Sequence, residues 1–95
     1  MEMRRVVVTG LGSLTPIGNN VEQYWQGLIN GVSGAAPITH FDASQAKTQF
    51  ACEVKDFDAS QFFDRKEARK YDKFSQYGIV AATQAMENCG IDLEK

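Results

Sequence analysis

A chain of 95 residues, 43% hydrophobic and 23% charged, has the make-up of one small globular unit or part of a larger one, not of a disordered chain. Its formal charge of −2 argues against a general nucleic-acid binder, which needs a basic footprint. Its apolar runs fall far short of a bilayer span, and the N-terminus lacks the ordered regions of a secretory signal, so no membrane attachment is implied and a cytoplasmic protein is expected.

Residues 5–8 (RVVV) open the chain with three β-branched side chains and no polar alternation, which predicts a strand covered on both faces, as in a parallel sheet between helices. Residues 9–18 (TGLGSLTPIG) then form a glycine-punctuated turn. A dinucleotide fingerprint would place a third glycine where Thr15 stands, a helix directly behind Gly12, and a carboxylate about twenty residues on. Here Pro16 and Gly18 intervene before any helical pattern, and residues 29–39 contain no Asp or Glu. The sequence reads against nucleotide binding.

Asn19 followed by Glu22 has capping-box spacing, and Val21, Tyr24, Trp25, Leu28 and Ile29 recur at helical offsets, predicting an amphipathic helix that ends near Asn30 and Gly31. Tyr24 and Trp25 share its apolar face and are expected in the core. Residues 32–49 carry turn signals at Gly34 and Pro37 and predict little regular structure. Residues 49–57 alternate, Phe50, Cys52 and Val54 against Ala51, Glu53 and Lys55, as a half-exposed edge strand or outer hairpin does. The pentapeptide FDASQ at 41–45 and again at 57–61 reads as two Asp-initiated turns, each able to cap a short helical turn.

From Asp64 the pattern is helical as far as Cys89 and Gly90, with Asp64 and Asp72 as alternative caps. Phe74, Gly78, Ala81 or Ala82, and Ala85 form a mostly small stripe against which another backbone could lie closely. Tyr77, Ile79, Val80 and Met86 spread apolar surface around the rest, as in a central helix of a layered domain. Residues 64–73 hold five cations (Arg65, Lys66, Arg69, Lys70 and Lys73) against three carboxylates (Asp64, Glu67 and Asp72) in an otherwise acidic chain. A helix starting at Asp64 would set several of these cations in its first turns, against its dipole. The patch is therefore either a solvated face laced with pairs such as Glu67 to Lys70 or a surface for an acidic partner.

Cys52, Cys89 and the single His40 lack disulfide-framework or metal-ligand spacing. Cys89 precedes Gly90 at a helix C-terminus, which favours the thiol over a reactive thiolate. None of the three is assigned a catalytic or metal role.

Residues 8–12 (VTGLG), 15–18 (TPIG), 50–58 (FACEVKDFD) and 65–76 (RKEARKYDKFSQ), in this order and spacing, closely resemble the N-terminal part of β-ketoacyl-[acyl-carrier-protein] synthases, nearest to the synthase II type. Cys52 stands where glycine is common and Tyr71 where methionine is common. The resemblance implies an α/β fold, the N-terminal part of a thiolase-like five-layer αβαβα architecture, with residues 1–95 supplying the opening of the ketosynthase N-terminal domain. It also implies a homodimer without cofactor or metal. The activity is that of an acyltransferase in fatty acid biosynthesis: an acyl group moves to a cysteine, malonyl carrier protein is decarboxylated, and the carbanion condenses with the acyl-enzyme. In the family that cysteine and two assisting histidines lie beyond this segment, so no catalytic residue is expected within it and the segment alone is expected to be inactive. Cations at the positions of Arg65, Lys66, Arg69 and Lys70 are implied to receive the acidic acyl carrier protein, acyl- or malonyl-loaded. The alternative is a non-catalytic ketosynthase-like partner subunit that keeps the fold and lacks the nucleophile.

Overall fold

The computed structural model describes residues 2–91. In chain order it contains α1 (Val21–Ile29), β1 (Ala35–Pro37), β2 (Phe50–Cys52), a 3-10 turn (Ala59–Gln61), α2 (Arg65–Lys70) and α3 (Lys73–Cys89). The radius of gyration is 17.1 Å, against about 12 Å for a compact chain of this length. Few side chains are deeply covered; the buried hydrophobics are Ala43, Phe63 and Val80.

The opening run departs from expectation. Residues 2–14 form no strand, and Val6, Val7 and Val8 are 88%, 63% and 79% exposed. A strand exists through hydrogen bonds to a neighbour, and β1 and β2 pair with each other. What the glycines do is also different. A Cβ on Gly12 would fall on the Ala81 carbonyl, and one on Gly10 on the Ala85 carbonyl, so both residues let the backbone lie directly on the small stripe of α3. There the Leu11 N–H donates to Asn88 Oδ1 (3.2 Å) and the Ser13 N–H to Gln84 Oε1 (3.0 Å). Side chains one helical turn apart thus take alternate amides of an extended segment. These amides are already engaged, which removes the phosphate-cradle reading on structural grounds as well.

A tight turn follows, closed by reciprocal backbone bonds between Thr15 and Gly18, and α1 begins one residue later than the sequence predicts. Asn20 is the N-cap, accepting from the Gln23 N–H at 2.8 Å, while Gln23 Oε1 accepts from the Asn19 N–H at 2.9 Å. The Asn19 side chain is committed elsewhere, to the Lys55 carbonyl at 2.8 Å, which explains the shift. At the other end Gly31 (φ 65°) closes the helix with Gly31 N–H to Leu28 and Val32 N–H to Gly27, the expected left-handed stop. Tyr24 is half-buried, but Trp25 is 59% exposed. The apolar face of α1 is not covered by the described residues, contrary to the expected core packing.

Residues 32–49 contain one strand that the sequence reading missed: β1 pairs antiparallel with β2, Ala36 opposite Ala51. This is the outer hairpin expected from the second strand, though β2 is shorter than residues 49–57. Within β2 Ala51 is half-buried while Phe50 and Cys52 are exposed, and just beyond it Glu53 and Val54 are both half-buried. Both FDASQ turns form as expected. Asp42 accepts from the Ser44 N–H, and Asp58 accepts from the N–H and hydroxyl of Ser60 at the start of the 3-10 turn. These bonds hold both carboxyls below their ordinary range, Asp42 chiefly through the Ser44 N–H and Asp58 chiefly through the Ser60 hydroxyl.

The single helix predicted from Asp64 onward is two helices. Both candidate caps are used: Asp64 accepts from the Glu67 N–H at 2.7 Å, and Asp72, in extended conformation, precedes α3 without a side-chain cap bond. Between them Tyr71 is extended (φ −108°, ψ 131°). Helix α3 ends at Gly90 in the left-handed conformation (φ 71°), as the sequence predicts.

Candidate functional site

Helix α2 carries the predicted docking cations, and Arg65, Lys66, Arg69 and Lys70 are all exposed. Breaking the helix at Tyr71 changes the dipole argument. Arg69 and Lys70 occupy the last turn of a six-residue helix, where positive charge is favourable, and only Arg65 and Lys66 stand at the disfavoured end. The pairing that would make this a laced solvated face is not formed. Among the described residues the one acid-base contact within 4 Å is His40 Nδ1 with Glu53 at 3.3 Å, remote in sequence from α2.

A helix this short is not stable on its own, so its position comes from what holds it. Ala68 is its one half-buried residue. On its N-terminal side, Phe63 is buried and its ring centroid lies 5.9 Å from that of Tyr71. Phe57 stacks on Phe62 at 5.8 Å and meets Tyr77 of α3 edge-on at 5.0 Å, favourable geometries for aromatic pairs. Tyr71 thus sits at the break and packs on the residue before the Asp64 cap.

A second polar cluster ties the hairpin to the opening turn. Lys55 Nζ donates to the carbonyls of Gly34 (2.9 Å), Pro16 (3.0 Å) and Glu53 (3.2 Å). Glu53, with a side chain 15% exposed, accepts from the Thr39 N–H (3.1 Å) and hydroxyl (3.0 Å) and from the His40 N–H (3.2 Å). Burial pushes its carboxyl up, but the bonds from Thr39 and His40 and the charge of the imidazole outweigh this and leave it below its ordinary value. Every partner here is already engaged within the chain, so the cluster is a structural latch.

Cys52 is exposed on β2, and Cys89 donates its S–H to the Met86 carbonyl at 3.1 Å. Among the described residues no three His, Cys, Asp or Glu side chains gather as metal ligands, and no helix is long and apolar enough to cross a membrane.

Residues 3–95 match the family described as Beta-ketoacyl synthase, N-terminal domain. The chain belongs to this family. Among curated relatives, the chain is 54% identical over 88 residues to 3-oxoacyl-[acyl-carrier-protein] synthase 2 of Synechocystis sp.. It is 50% identical over 93 residues to the protein of the same name from Vibrio harveyi. These alignments cover 93% and 98% of this chain but 21% and 22% of the relatives, so the chain spans about a fifth of the ketosynthases it matches. The ishigamide ketosynthase/chain length factor superposes with a TM-score of 0.85 at 38% identity, over 96% of this chain and 23% of that one. The mixed helix and strand segment thus takes the path of the ketosynthase fold, the α/β class expected from the sequence.

Proposed function

We propose that this chain is the N-terminal segment of a 3-oxoacyl-[acyl-carrier-protein] synthase of the synthase II type, whose full-length form condenses acyl groups with malonyl carrier protein in fatty acid elongation. Identity of 50–54% with relatives of that name over almost the whole chain is the observation that carries this reading. The segment contributes the opening elements of the ketosynthase N-terminal domain and no catalytic residue. The five-layer thiolase-like architecture, the homodimer and the cytoplasmic location follow from the same reading. The exposed valines at 6–8 and the open apolar face of α1 are surfaces that the remaining layers of such a domain would cover.

Helix α2 serves as the carrier-protein docking element. Arg65, Lys66, Arg69 and Lys70 are exposed and form no ion pair within the described residues, which leaves their charge free for an acidic partner. The double charge reversal Lys66→Glu/Arg69→Glu, in the full-length protein, is expected to weaken acyl carrier protein binding about tenfold at low salt. The difference shrinks as salt screens it. Unchanged affinity with a flat salt profile would sink the docking assignment.

A second reading, a non-catalytic ketosynthase-like partner subunit, is favoured by the structural likeness to a protein titled ketosynthase/chain length factor. Condensation assays on the full-length protein separate the two. Turnover supports the enzyme, and a folded protein without the nucleophilic cysteine supports the partner.

A further inference from the structure

We infer that Gln76 is the positioning residue of the carrier-protein docking site: a buried side-chain amide that fixes the basic helix α2 in register with α3. The inference rests on the docking reading of α2 given above.

Gln76 lies in the first turn of α3 and is 7% exposed, the one buried polar side chain among the described residues. Its Nε2 donates to the carbonyl of Ala68 at 2.9 Å and to that of Tyr71 at 3.2 Å. Both acceptors belong to the C-terminal end of α2 and its cap. The last four carbonyls of any helix lack intrahelical partners, and in a helix of six residues those four are most of it. Gln76 therefore caps α2 from another element and supplies both hydrogens of one amide to do so. The same carbonyl-rich end holds Arg69 and Lys70, so fixing Ala68 and Tyr71 fixes the backbone on either side of two docking cations.

Other ties are less direct: Phe57 bridges Phe62, ahead of the helix, to Tyr77 of α3, and Tyr71 and Asp72 join the two helices through the chain. Ala68 is the only residue of α2 that is not exposed, and it presents a single methyl to the body. At the other end Asp64 caps the helix within its own strand of chain and gives it no tether to α3. The aromatic contact of Tyr71 with Phe63 spans the helix from end to end, again without reaching α3. Gln76 is the hydrogen-bonded link between the docking helix and the long helix behind it. Without its donors the two part-buried carbonyls lose a partner, an unfavourable arrangement that α2 relieves by moving toward solvent. The four cations would survive this with their charge intact and their spacing lost.

The test compares three proteins, all full-length: the wild type, Gln76→Met, and Lys66→Glu/Arg69→Glu. Methionine keeps the length of glutamine and removes both donors; Gln76→Leu, likewise uncharged and without donors, serves where the methionine variant does not fold. Binding of acyl carrier protein is titrated over a salt series, and amide exchange is followed in α2. For the Gln76 variant we expect faster exchange at Arg69 and Lys70 and binding about tenfold weaker. Its salt dependence should keep the wild-type slope, because no charge has changed. The charge reversal instead flattens the slope. Wild-type exchange in α2, or faster exchange with wild-type affinity, overturns the positioning role while the charge reversal still reports docking. Unchanged binding in the charge reversal overturns the docking reading, and the positioning role with it.

Discussion

Two glycine-to-alanine substitutions, Gly12→Ala and Gly78→Ala, should act in opposite directions for reasons visible in the packing of α3. A methyl on Gly12 would coincide with the Ala81 carbonyl oxygen and stand 2.9 Å from the Ala81 carbonyl carbon and the Ala85 nitrogen. All three are helix backbone atoms, which cannot swing aside as a flexible side chain would. Overpacking of this kind costs about 1–3 kcal/mol, and against unyielding backbone it falls at the upper end of that range. Separating the opening segment from α3 avoids that cost and forfeits the Leu11 and Ser13 bonds, worth about 1 kcal/mol each, so the segment detaches locally and α3 remains helical. Gly78 sits in α3 with nothing within 4 Å of an added Cβ; alanine there gains about 1 kcal/mol of helix propensity. Amide hydrogen exchange reads both. Gly12→Ala should bring Leu11 and Ser13 to the rates of free peptide and leave α3 protected, while Gly78→Ala should slow exchange in the middle of α3 about fivefold. Retained protection at Ser13 in Gly12→Ala would refute the close approach inferred between residues 10–12 and the helix.

Removing the α2 cap by Asp64→Ala should cost about 1 kcal/mol, enough to unravel a six-residue helix, seen as loss of helical carbon chemical shifts over residues 65–70 while those of α3 persist. The Glu53 latch should be acid-sensitive. Its folded value lies below the ordinary 4.5, so its stabilisation is complete above that value and is lost as pH falls through the depressed one. Protection of the Thr39 and His40 amides should therefore drop in the wild type as pH falls below the ordinary 4.5 and be independent of pH there in Glu53→Gln. Lys55→Met removes the donor from three carbonyls and, discounted for an exposed ammonium, should cost about 1 kcal/mol, measured as a lower urea midpoint. An unchanged midpoint would show that water replaces the ammonium without penalty.

What could be read from the sequence was whatever depends on neighbours along the chain. The left-handed stops at Gly31 and Gly90, the two Asp turns, the stripe at Ala81 and Ala85, and the cations of α2 are all local patterns, and all appear where the sequence places them. Pairing is not local. Ala35–Pro37 has no β-branched residue to mark it as a strand and is one only because Phe50–Cys52 lies beside it, whereas the valines at 6–8 have the residues of a strand and no described partner. The break at Tyr71 was visible as a second capping residue, Asp72, but two caps within nine residues read equally well as alternatives. Gln76 closes the last of the family motifs, but nothing in the sequence marked it as a contact of α2. Its donors matter because of where Ala68 and Tyr71 place their carbonyls, which depends on the break itself. Family membership was legible from four motifs in order, since their joint spacing is far more specific than any one of them.

The uncovered valines also bear on solubility. Until a partner strand lies beside it, a β-branched run with free backbone donors and acceptors is available to any similar edge, including that of a second copy. Arg4 and Arg5 stand immediately before it. Two adjacent positive charges at the head of an apolar run would make two copies repel where they would otherwise pair, the placement that gatekeeper residues take.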